Sequence, residues 1–188
     1  MTSTGKCLES SSSSSPWKHD VFLSFRGEDT RTGFTDHLYH ALDGKAIDTF
    51  RDTEGLVRGE AISPALLKGI EESRFAIIVL SEKYATSSWC LDEVAEIVKC
   101  HRVRGQTIIP VFYHVEPNHV RNQTGTFGEP FTHKHKDQDV NRVNRWREAL
   151  SLVANIHPCW ELKADGRYVI LHFNTNFLIN FFEMRIYS

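Results

Sequence analysis

The chain reads as an α/β protein built on a parallel sheet with helices on both faces, and three observations predict it. From His19 onward, short apolar runs alternate with stretches of helical period, the pattern of successive βα units. Phe75 to Leu80 and Thr107 to Tyr113 are nearly continuous apolar runs, as strands buried on two sides must be. The 188 residues, 40% hydrophobic and 24% charged, suffice for one domain of ordinary size with one core.

Residues 1–17 come first and are polar, with an unbroken serine run from Ser10 to Ser15 followed by Pro16. Such a segment buries too little apolar surface to offset its ordering entropy, so it is expected to be a disordered leader outside the fold. Val21 to Phe25 is the first strand. A turn from Arg26 to Thr30 leads into a helix whose apolar residues Phe34, Leu38 and Leu42 recur every fourth position. Ile47 to Phe50 is a short second strand, followed by a charged, glycine-bearing loop from Arg51 to Ala61. Ser63 and Pro64 supply an N-cap and a first-turn proline for the next helix, whose buried stripe is Leu66, Leu67 and Ile70.

Phe75 to Leu80 is the third strand and Thr107 to Tyr113 the fourth, in which Pro110 is out of place because proline favours edges and bulges. Small helices, a helix around Trp146, Ala149, Leu150 and Val153, and a fifth strand from Cys159 to Leu162 complete the pattern. The last stretch, residues 167–188, crowds apolar groups without a clean period and contains no apolar run of membrane length.

Charge and cysteine usage narrow the function classes. The net charge of −2 gives no electrostatic footprint for nucleic acid or for an anionic membrane. Cys7, Cys90, Cys100 and Cys159 form no Cys-x-x-Cys pair and no signal-peptide pattern opens the chain, which fits a reduced intracellular compartment. His133 and His135 lack a third ligand at a telling spacing, so they are expected to be solvated surface histidines and no metal site is predicted.

The third strand leads into Ser81 to Glu93, which carries a tryptophan and a carboxylate one helical turn apart. With Ser88 as N-cap, Trp89, Asp92, Glu93 and Glu96 share one face of the helix, while Leu91, Val94, Ala95 and Val98 share the opposite, sheet-facing one. Glu93 is thereby expected to look into the crevice from the helix's positive end. In a generic helix Asp92 and Glu93 would be ordinary first-turn acids and Trp89 a rim aromatic, but position shifts the balance. In a sheet of order 2-1-3-4-5 the order reverses between strands one and three, which is where ligands bind. Arg26 and Gly27 follow the one and Trp89 and Glu93 the other, so a cation, a close-approach glycine, an aromatic plate and a carboxylate converge. These suit a ligand combining phosphate, ring and ribose. No Gly-x-Gly-x-x-Gly follows the first strand, no Gly-x-x-x-x-Gly-Lys-Ser/Thr occurs anywhere, and the third strand ends without the aspartate of a phosphoacceptor domain.

At these residues the chain resembles the plant-type TIR (Toll/interleukin-1 receptor) domain of intracellular immune receptors. The resemblance is carried by Asp20 to Arg31, Phe34 to Tyr39, Ile70 to Ser73, Ser81 to Glu93, Pro110 to Tyr113, Pro117 to Arg121 and Arg145 to Leu150, in the right order over residues 18–166. It implies a flavodoxin-like sheet of order 2-1-3-4-5 and an NAD⁺-cleaving activity in plant defence. NAD⁺ is then the substrate, and no cofactor is required. The family's catalytic glutamate falls on Glu93 and its substrate pocket on Phe25, Arg26, Gly27 and Trp89, with Arg58 in a mobile loop from Asp52 to Ile62. The resemblance further implies association with other TIR domains through the helix carrying Asp36 and His37, no direct membrane contact, and a cytoplasmic location with the nucleus as the alternative.

Two departures qualify it. Where the family usually reads Ser-His the chain has Asp36-His37, and after Gly166-Arg-Tyr168 it departs from the family's amphipathic last helix. The expectation is a truncated receptor with weakened activity. Its alternative is a non-catalytic adaptor or decoy that binds other TIR domains.

Overall fold

The structure is a computed structural model in which residues 16–51, 62–157 and 159–162 are described. The polar leader through residue 15, Arg58 with most of its loop, and the 167–188 tail lie outside the described residues.

Five parallel strands, β1 (His19–Phe25), β2 (Thr49–Arg51), β3 (Ser73–Ser81), β4 (Thr107–Tyr113) and β5 (Trp160–Leu162), form one sheet in the order β2-β1-β3-β4-β5. β1 and β3 pair from His19↔Ser73 to Phe25↔Val79, so the strand order reverses between them as expected. The sequence places the second strand two residues too early. Ile47 is instead buried against the helix before it, and its N–H bonds the Leu42 carbonyl. Pro110 costs the sheet little, because β5 pairs only with Val111 to Tyr113 and its ladder starts one residue further on.

The period of two along the strands sends alternate side chains to opposite faces. Val21, Leu23, Phe25, Ile77, Val79 and Val111 form one cluster with Leu38 and Leu42 of α2 (Phe34–Asp43). Phe22, Ile78, Leu80 and Phe112 form the other, with α3 (Pro64–Glu71), α4 (Ser88–Arg104), α5 (Pro117–Asn122), α6 (Gly125–His133) and α7 (Val140–Val153). The segment predicted as a turn after β1 closes into a single helical turn, α1 (Gly27–Thr30), because its acids Glu28 and Asp29 suit a helix start.

Caps fix the helix ends. Ser63 Oγ accepts from Leu66 N–H, with Pro64 at the first helical position. Gly105 ends α4 at φ 74°, and the amide of Gln106 beyond it donates to the Ile70 and Ser73 carbonyls at 2.7 and 2.8 Å. That clamp ties the end of α4 to the start of β3. Trp146 of α7 is fully buried, and its indole N–H donates to Asp92 Oδ1 at 2.8 Å. His135 is not a surface histidine: it is 3% exposed, stands edge-on to Trp146, and its Nε2 lies 2.9 Å from the Ala85 carbonyl.

Candidate active site

The first turn of α4 is held by Ser87, whose hydroxyl accepts from Cys90 N–H, so the cap stands one residue before the expected Ser88. With that start Glu93 is the sixth helical residue, beyond the first turn where the dipole acts most strongly. The face assignment changes as well. The buried side of α4 runs through Cys90, Leu91, Glu93, Val94 and Ile97, and Glu93 is only 4% exposed. The carboxylate therefore points at the carboxyl end of β1 and not away from the sheet.

What receives it there is Ser24. The Ser24 hydroxyl donates to Glu93 Oε2 at 2.7 Å and lies 2.9 Å from the hydroxyl of Tyr84, which donates to the Cys90 carbonyl at 3.0 Å. Cys90 Sγ in turn faces the Phe25 carbonyl at 3.8 Å. Together these contacts stitch the start of α4 to the end of β1. Burial, and then the charge of Glu93, raise the Cys90 thiol far above its usual range. Tyr84 is likewise raised, by burial first and then by Cys90 and Glu93. Both groups stay neutral in this site. Sequence reading missed Ser24 and Tyr84. The available signal was a lone polar residue in the run Val21 to Phe25, on the same face as Phe22.

The remaining predicted residues surround this point. Phe25 ends β1, 9% exposed, with the Arg31 guanidinium 5.4 Å from its ring centre. Arg26 caps α1 and pairs with both Glu28 and Asp29, while Ser81 at the end of β3 donates to Asp29. A Cβ at Gly27 would come within 2.9 Å of Arg31 Nε, the far end of a flexible side chain. Trp89 packs against the larger cluster, and its indole N–H is buried with no partner among the described residues. The Cys90 thiol is influenced by Glu93, Arg26 and Asp29 together, so these charges converge on one place. Asp92 does not join them, since Arg142 and Trp146 hold it on the far side of α4. On that side a groove of about 580 Å³ opens between α3, α4 and α7, and Glu93 does not line it.

Such an arrangement can place a negative charge beside a developing cation at the strand ends, with an indole and a guanidinium nearby for ring and phosphate. Among the described residues no group of His, Cys, Asp and Glu could hold a metal ion, and no helix is long and apolar enough to cross a membrane.

Comparison with known proteins bears on the family and the fold. Over 173 residues the chain is 53% identical to the disease resistance protein RPV1 of Vitis rotundifolia, covering 89% of this chain and 12% of that protein. It is 54% identical over 152 residues to the TMV resistance protein N of Nicotiana glutinosa, covering 79% of this chain and 13% of that one. The chain thus spans about an eighth of the length of these relatives. Among solved structures it is similar to the TIR domains of the activated Roq1 resistosome, which directly recognises the pathogen effector XopQ. The TM-score there is 0.73 at 42% identity, covering 86% of this chain and 98% of that one. Residues 18–169 match the family described as TIR domain, and the chain belongs to that family.

Proposed function

We propose that this TIR domain cleaves the N-glycosidic bond of NAD⁺ in plant immune signalling, with Glu93 as its catalytic residue and association with other TIR domains as the condition for turnover. The observation that carries the reading is Glu93, the buried carboxyl among the described residues, at the end of β1 where the strand order reverses, on the same helix as Trp89, whose buried indole N–H has no partner among the described residues. Sharing the fold and 42% of its sequence with resistosome TIR domains supports the signalling part.

In this mechanism the bond between nicotinamide nitrogen and ribose C1′ breaks, and its electron pair leaves with nicotinamide as a neutral base. The oxocarbenium-like cation at C1′ is stabilised by the Glu93 carboxylate. Water then attacks C1′, giving ADP-ribose and a proton; capture by a ring nitrogen of the same molecule gives a cyclic product. Arg26 would exchange one of its carboxylate partners for the pyrophosphate, and Trp89 would offer its face and N–H to a ring. Phe25 and Gly27 would form the wall at the end of β1, and Arg58 would complete it from its loop. Asp36, at the surface through which domains would meet, is matched within the chain by Arg51 at 3.0 Å and by His40 at 3.6 Å. Its charge is therefore partly answered before any partner arrives.

Glu93→Gln keeps size and shape but removes the charge, and is expected to slow nicotinamide release at least about a hundredfold at unchanged melting temperature. Wild-type release by that variant would overturn the assignment. Release per molecule should also rise with protein concentration, and a flat response would remove association from the reading.

A further inference from the structure

Arg26, just past the end of β1, grips two carboxylates at once: its Nη2 pairs with Glu28 and its Nη1 with Asp29. The two pairs differ in burial. The Asp29 side chain is 13% exposed and also accepts from the Ser81 hydroxyl at the end of β3, which ties it to the sheet. The Glu28 side chain is 63% exposed, against 16% for the guanidinium it covers. Stripping a cation from a mostly buried carboxylate costs far more than returning an exposed one to water. An anion arriving at Arg26 therefore takes the place of Glu28 and leaves Asp29 where it is. The guanidinium has five N–H donors in a fixed fork, so Nη2 can turn to a phosphate oxygen while Nη1 stays on Asp29.

We propose that Glu28 is an internal competitor of the substrate, a carboxylate that occupies the phosphate position on Arg26 in the unliganded domain and so sets how tightly a phosphate is held there. The inference rests on the reading of Arg26 as a partner of the pyrophosphate, but it requires no cleavage of the ligand. Because Glu28 stands two residues from Arg26 in the same turn, the competitor is tethered and is never diluted away.

Other groups bear on the same place. Arg31 lies over the Phe25 ring, and both it and Glu28 have a further interaction besides those named. Removing the Glu28 charge favours a bound anion through the general field as well as through the freed Arg26 donor. The two effects separate when Glu28→Gln is made twice, once in the wild type and once in Arg26→Gln. Whatever does not pass through Arg26 appears equally in both backgrounds and cancels, and the difference is the competition itself. A pair with one exposed partner is worth little, so the gain in the wild-type background should be about two- to fivefold in affinity.

The test is calorimetric titration of the full chain with inorganic pyrophosphate, in the wild type, Glu28→Gln, Arg26→Gln and the double variant. Tighter binding by Glu28→Gln, with a smaller gain in the Arg26→Gln background, supports the proposal. An absent gain, a gain undiminished by Arg26→Gln, or no pyrophosphate binding by either the wild type or Glu28→Gln overturns it. Should Arg26→Gln fail to fold or to bind, Glu28→Asp decides, since it keeps the charge and shortens the reach by one methylene: tighter binding there supports the competition, and unchanged or weaker binding overturns it. Nicotinamide release by the same chains separates the two readings. Glu28→Gln should lower KM for NAD⁺ by the same factor at unchanged kcat, because the contact it frees serves ground state and transition state alike. The expected pyrophosphate pattern in a protein that releases no nicotinamide leaves the inference standing and removes the NAD⁺ reading. Release of nicotinamide by a protein whose pyrophosphate binding ignores Glu28 does the reverse.

Discussion

Asp92 sits beside Glu93 in α4, yet its oxygens are taken by the guanidinium of Arg142 and the indole N–H of Trp146, while Glu93 turns to Ser24. In the chain the two acids are equivalent, and helical stepping alone assigned both to one face. Only the packing of α4 against β1 and α7 tells them apart. Asp92→Ala is expected to destabilise the domain by about 1–3 kcal/mol, because it strands a buried indole N–H and a half-buried guanidinium. Denaturant melts check this, and release of nicotinamide by the folded fraction should change far less than in Glu93→Gln. Arg26→Ala should do the reverse. Its partners Glu28 and Asp29 lie in the same short turn, so melting should barely change, whereas loss of one charge-assisted contact to pyrophosphate should lower kcat/KM about tenfold or more. Equal melting losses for the two variants would contradict this division of labour.

At the scale of elements, the parts written in local chemistry were legible: the Ser63–Pro64 cap, the paired apolar runs of β3 and β4, and the spacing of Phe34, Leu38 and Leu42 in α2. The parts decided by distant neighbours were not. The first strand gains two residues, His19 and Asp20, because the chain beyond it offers Ser73 as a pairing partner. His135 reads as a polar loop residue, but the edge of Trp146 and the Ala85 carbonyl make a buried place for it. The turn between α5 and α6 is another such case. Gln123 adopts φ 47°, and a Cβ on Gly128 would lie 2.1 Å from the Gln123 carbonyl oxygen, which is backbone and cannot swing aside. Gly128→Ala should force α6 away from α5 and cost about 1–3 kcal/mol or more by overpacking, with Phe127 and Phe131 losing their seats in the larger cluster. A melting temperature equal to wild type would show that this turn yields without loss.

For the molecule as a whole, acid should weaken the fold through His135. Burial, opposed by its hydrogen bond to the Ala85 carbonyl, lowers the pKa of this imidazole. The unfolded chain, with an ordinary value of about 6.5, then binds more protons than the native one below that pH. The contribution is present in full above about pH 6.5 and is lost as pH falls through the lower native value. Urea melts across this range should steepen with acid in the wild type and flatten in His135→Gln; identical slopes would assign the acid sensitivity elsewhere. The overall architecture could be read from the sequence because every strand and most helices announce themselves by period, and the candidate site could be read only to the level of which loops meet. Which carboxyl is buried depends on how β1 meets α4, and that junction has a kinetic side. β1 reaches β3 across an intervening strand and three helices, α1, α2 and α3, a longer loop than the one α4 closes between β3 and β4. During refolding the β3–α4–β4 unit can therefore form before β1 docks, with Glu93 already on its helix but Ser24 still absent. A nascent or partly unfolded chain would carry the acid without its keeper, so competence of the site should emerge late, together with the last long-range ladder.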